Sequence, residues 1–128
     1  MRYPVILIGA GLVCLIAGES FGMWMAQNPQ NFLYAPAHAH LNLAGWVTLS
    51  LYGLIHRAYP ALAESKLATA QASLAILGGV LVGPGIVVAI NSGEQNPSLA
   101  IAASVCIMLG TLLFGIMFVG KAVMAKTT

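Results

Sequence analysis

The fold class this sequence predicts is an all-α transmembrane four-helix bundle, a single domain over residues 1–128 with the N and C termini cytoplasmic. Three observations carry that expectation. Mean hydropathy is +0.90 and charged residues make up 6% of the chain, against about a quarter in soluble domains. Four apolar stretches, residues 5–25, 37–55, 67–90 and 99–119, each come near the ~20 residues that a spanning helix needs. All five basic residues fall on one side of a four-span topology: Arg2 before the first stretch, Arg57 and Lys66 between the second and third, Lys121 and Lys126 after the fourth. Lys and Arg collect on the cytoplasmic side, so the connections 27–36 and 91–98, which hold neither, are expected outside. A net charge of +2 then reflects topology and gives no reason to invoke nucleic acid.

The expected helices cover residues 4–26, 36–58, 65–91 and 97–121. Gln27-Asn28-Pro29-Gln30-Asn31 closes the first. It is not read as a cleaved leader, because no A-x-A-like site follows it and Gly11-Leu12-Val13-Cys14 lacks the lipoprotein pattern. Pro36 stands where a first-turn proline is tolerated and opens the second helix, and Pro60 ends it. Ser65 is expected to cap the third. Gly83-Pro84-Gly85 should bend that helix in its outer half, since proline removes a backbone donor and clashes with the preceding turn. Asn96, ahead of Pro97, is expected as N-cap of the fourth. Small residues mark the packing faces: Gly11, Gly18 and Gly22 on the first helix, Gly78, Gly79 and Gly83 on the third, and Ser98, Ala102, Cys106 and Gly110 on the fourth. Such faces also suit contacts between protomers. Cys14 and Cys106, both inside spans, are expected to pack as small apolar residues. Trp24 and Tyr34 at the outer boundary, with Tyr3 and Tyr59 at the inner one, suit aromatic belts.

Chemistry is expected at the outer start of the second helix, in His38-Ala39-His40-Leu41-Asn42-Leu43-Ala44-Gly45-Trp46-Val47. Ionisable side chains inside a span are functional candidates. Residues two apart on an α-helix diverge by about 200°, so the two imidazoles cannot reach one metal from the same side. At ~100° per residue, His38, Asn42, Gly45, Leu49, Tyr52 and His56 share one line. His40 lies opposite, so this helix is expected to be buried on both faces, which four helices alone hardly achieve.

The same residues resemble a known family. His38-x-His40 followed by Gly45-Trp46-Val47, Gly53 and Pro60 is similar, at matching spacing and without a gap, to the tenth helix of the catalytic subunit of cbb3-type haem–copper oxidases. The resemblance covers residues 38–60 only. In that family the first histidine ligates the high-spin haem and the second the low-spin haem, from opposite faces of the helix. The resemblance therefore implies haem b bound through His38 and His40. Asn42, Trp46 and Glu19 are the other cofactor-facing candidates, and the implied role is electron transfer or redox or gas sensing.

The family's catalytic subunit has twelve helices in three arcs of four, and three further histidines hold its copper. This chain has one other histidine, His56, so oxidase activity by a single copy is not expected. The pseudo-threefold plan implies instead a ring of three copies, each haem held by His38 of one and His40 of the next. Glu19, the one acidic residue inside a span, is expected either to accept a hydrogen bond from a ligating histidine or to sit protonated against a helix backbone or Asn42. Trp46 is expected against a porphyrin face or in ordinary helix contact, and His56, beside Arg57, as an interfacial residue. Two other readings stay open. Met23 and Met25 with His38 and His40 could bind cuprous copper, for which thioether plus imidazole is a suitable donor set. Alternatively the chain could be a structural or assembly subunit of a respiratory complex, with its histidines hydrogen-bonded internally.

Overall fold

The computed structural model describes residues 2–93 and 95–123. Lys126 lies outside them. Four helices dominate, and no strand occurs among the described residues. α1 is Arg2–Ala26, α3 is Ala68–Asn91 and α4 is Ser98–Met117, prolonged by the π turns of Phe118–Val123. α2 runs over residues 35–58 in three continuous pieces: α-helical Ala35–His40, π-helical Leu41–Val47 and α-helical Thr48–Ala58. Short 3-10 stretches, Pro29–Tyr34 and Pro60–Glu64, lead into and out of α2. Three helices are long and apolar enough to cross a membrane: Arg2–Ala26, Ala68–Asn91 and the α4 span Ser98–Lys121.

The punctuation follows local chemistry, with some shifts from expectation. Ser65 caps a turn ahead of α3, its Oγ accepting the Leu67 N–H at 3.2 Å, and the helix itself begins at Ala68. Asn96 does not cap α4; Pro97 holds that position, and Asn96 Oδ1 accepts the Ser98 hydroxyl at 2.7 Å. α3 continues through Pro84. Between α3 and α4 the chain reverses at Gly93, whose φ of 63° is the left-handed region that a side chain would strain.

Close backbone approach holds the bundle together. α2 lies against both α1 and α3, and α3 pairs along its length with α4. A Cβ on Gly79 would stand 3.0 Å from the Ala44 carbonyl oxygen, and one on Gly78 would stand 2.8 Å from that of Ala103. Small residues at these crossings let helices meet without apolar side chains between them, which matters where lipid removes the hydrophobic drive for helix association. On α4 the seam differs from the expected Ser98–Ala102–Cys106–Gly110 line. Ala103, Gly110 and Met117 are the buried residues, while Ser98 and Ala102 are exposed. Larger side chains pack at the end that carries Arg2, Arg57 and Lys66, where Leu7, Leu49, Tyr52, Ala72 and Ala75 form one cluster and Leu62, Ala68 and Met117 a second.

The π segment of α2 corrects the expected single polar line. A π turn holds more residues than the α-helix's 3.6, so positions four apart stay aligned through it. His38, Asn42, Trp46 and Ser50 therefore all meet glycines of α1. Below the segment, Leu49 packs on α3, Tyr52 bonds Thr111 of α4 at 2.9 Å and His56 bonds Gln71 of α3. Thr48 closes the segment, because its backbone N–H and its hydroxyl, the latter at 2.8 Å, both donate to the Leu43 carbonyl.

Candidate functional site

The outer end of α2 is positioned by Pro36, which starts the helix, and by the preceding 3-10 stretch, where the Tyr34 hydroxyl donates to Asn91 Oδ1 of α3 at 2.5 Å. Phe21 and Trp24 of α1 stack at 5.5 Å, and Tyr34 packs beside both. Helices α1, α2 and α3 are thus tied together one turn above the two histidines.

His38 is half-buried and turned to α1. Its Nδ1–H donates to the Gly18 carbonyl at 2.9 Å. Its ring lies over Gly22, where a Cβ would stand 2.8 Å from Cε1. The Asn42 amide nitrogen sits 3.4 Å from Nδ1 and 3.3 Å from Nε2. A donor that is nearly equidistant from both ring nitrogens lies across the ring and not along the in-plane lone pair of either, so Nε2 has no well-aligned partner. His40 is exposed, and its Nδ1–H donates to the Pro36 carbonyl at 2.8 Å. Both imidazoles are therefore held by Nδ1 on backbone carbonyls, with Nε2 as the remaining acceptor. The divergence expected from helix geometry is present: one ring faces α1 and the other leaves the bundle.

The other candidates are placed as follows. Asn42 is half-buried against Gly18, and its Oδ1 is buried without a hydrogen-bond partner. Trp46 is half-buried, its ring edge and carbonyl set on Gly11 of α1 in ordinary helix contact. Glu19 is exposed and makes no side-chain hydrogen bond among the described residues. Within one chain, then, Glu19 partners neither histidine, nor Asn42, nor a helix backbone; the preceding residue, Gly18, supplies the acceptor from its main chain. Met25 is 4% exposed and Met23 65% exposed, so the two thioethers leave α1 on different sides and do not form one donor set. Among the described residues no three His, Cys, Asp or Glu side chains group to hold a metal. Cys14 and Cys106 are free thiols, Cys14 being packed on Gly45.

His56 lies inside the bundle, beside the boundary residue Arg57. It is 2% exposed, stacked on Tyr3 at 5.5 Å, with its Nε2–H pointing to Gln71 Oε1 at 3.4 Å. Gln71, fully buried, and Thr48 are residues that sequence reasoning passed over. A glutamine in an otherwise apolar helix was the available signal for the first, but none marked the second.

An apolar cleft of about 400 Å³ opens between α1, α2 and α3 beside the site, lined by Ala17, Phe21, Ala37, Leu41, Pro84 and Val87 among others. Neither histidine lines it. No family model, curated protein or solved structure matches the chain.

Proposed function

We propose that this chain is a haem b-binding protein of a bacterial-type inner membrane, with four spans, cytoplasmic termini and the two-histidine end external. Its haem lies between copies, held by His38 of one and His40 of the next, and its role is electron transfer. The observation that carries the reading is the anchoring of both imidazoles through Nδ1. A metal-ligating histidine nearly always donates its other ring N–H to a carbonyl or carboxylate, which fixes the tautomer and ring orientation and strengthens the ligand. Gly18 and Pro36 do this for His38 and His40 and leave each Nε2 for the metal.

The two rings face different sides of α2, and the chain's own cleft contains neither, so a group held by both needs a second copy. The exposed His40 would otherwise stand against lipid, at a cost in free energy. A ring of three copies, as the oxidase resemblance implies, supplies such a neighbour at every His40. The bound group would supply one-electron exchange. His38 and His40 would each present one Nε2 to the group, at similar depth near the outer end of α2. With two histidines holding it, the group would serve electron transfer in preference to ligand activation. The copper alternative loses support from the divergent methionines.

The visible spectrum of the purified protein tests the proposal. An intense Soret band with low-spin b-type features is expected, and His38→Ala and His40→Ala should each abolish or strongly alter it. Protein made with adequate haem supply that shows no Soret absorption overturns the reading and leaves the structural-subunit alternative.

A further inference from the structure

The ring of His38 is seated from a helix that carries neither of the two histidines proposed to hold the haem. On α1, Gly18 offers a main-chain carbonyl to Nδ1–H at 2.9 Å. One turn later Gly22 presents a bare Cα, so that the imidazole lies flat against the helix; a Cβ there would stand 2.8 Å from Cε1 and 3.3 Å from Nδ1. The two contacts depend on one another, because a ring lifted off Gly22 cannot keep its nitrogen on the carbonyl one turn away. From these contacts we propose that Gly22 is a positioning residue for the site: it seats His38 on the Gly18 carbonyl and so sets how strongly that imidazole donates to iron. This rests on the haem reading above and adds a control over it exerted from α1.

The direction of the effect follows from the bond. A hydrogen bond from Nδ1–H makes Nε2 a stronger donor, and a stronger donor favours ferric over ferrous iron. Gly22→Ala should lift the ring, weaken the bond and raise the haem midpoint potential, with the Soret band retained. Gly9→Ala places the same methyl on the same helix where nothing lies within 4 Å, and should leave the potential unchanged. A merely structural glycine would change stability in Gly22→Ala without moving the potential.

The experiment has two arms on the full chain in micelles. The first is redox titration of the native protein, Gly22→Ala and Gly9→Ala. The second is 15N NMR of histidine-labelled protein, with the His38 signals assigned by comparison with His38→Gln. The native spectrum is expected to show Nδ1 protonated and hydrogen-bonded, Gly22→Ala to weaken or lose that signature, and Gly9→Ala to keep it. An unmoved potential and an unmoved Nδ1 signal in Gly22→Ala overturn the proposal. Should the native protein carry no haem, the haem reading fails on its own and the NMR arm decides the cradle; His38 protonated on Nε2 in that state overturns it without any variant.

Discussion

At the scale of single residues, burial and hydrogen bonding separate three histidines that composition treats alike. His38 and His40 keep one ring nitrogen each without a well-aligned partner. His56 is enclosed by Tyr3, Gln71 and Phe114 at the basic end of the bundle, far down the same helix. Its Nδ1 and the Gln71 Nε2 are both buried and unpartnered, so the pair is held together by one long bond at 3.4 Å. Removing one member strands the other, at a cost of about 1–3 kcal/mol for an unmet buried polar group. Gln71→Leu is therefore expected to lower the unfolding free energy in micelles by that order, and His56→Phe combined with Gln71→Leu by less than the two single effects added. Strict additivity would show that the two side chains do not act as a pair. His56 is recognisable in the chain as an imidazole beside Arg57, but its burial is not, because the partner that draws it inward lies on another helix, fifteen residues away.

At the scale of elements, α2 decides the site through its π segment. Trp46 follows His38 by eight positions, which in a plain α-helix would turn one of them about 80° from the other. The π turns absorb the extra residue, and both meet α1. Deleting Leu43, which is 63% exposed, reduces that offset to seven, or about two plain α turns. That deletion is expected to keep the fold, the helix content and, under the proposed haem reading, the visible spectrum. Deleting Leu51, 51% exposed in the α-helical part, should rotate the Tyr52–His56 segment by about 100° and take His56 from Gln71. Thermal unfolding and the visible spectrum of the two deletions check this, and equal damage from both would count against the π segment as the register device. Periodicity alone could not reveal it, because a wheel drawn at ~100° per residue presupposes the regular winding that this segment breaks. The positions of the four helices were legible from hydropathy, Pro and Gly, with boundaries within about three residues, as fraying and capping allow.

At the scale of the whole molecule, α4 touches the rest chiefly along one seam. Its outer surface carries Ile101, Val105, Met108, Leu112 and Ile116, all more than half exposed and suited to lipid. The ionisable exceptions on the described surface within the apolar spans are Glu19 and His40, on α1 and α2. Charge in that position is costly facing lipid, which makes those two helices the expected side of assembly. Under the proposed between-copies arrangement the protein is expected to run in mild detergent at the mass of three chains, and His40→Ala, which removes the proposed bridging ligand, to fall towards a single chain. Light scattering coupled to size exclusion measures both. A native monomer that nevertheless carries haem would require both axial ligands from elsewhere and would remove the between-copies arrangement.

The sequence by itself determined that the chain is helical, that it has four main helices, and that two imidazoles stand two residues apart at the neutral end of the second. Those properties follow from composition and from steric rules read along the chain, one residue after another. Which way each imidazole turns, that a glycine carbonyl and not Glu19 receives His38, and that His56 lies inside were decided only in the folded bundle. Each depends on how closely two backbones distant in sequence approach, and on a π segment whose winding the apolar pattern of α2 does not encode.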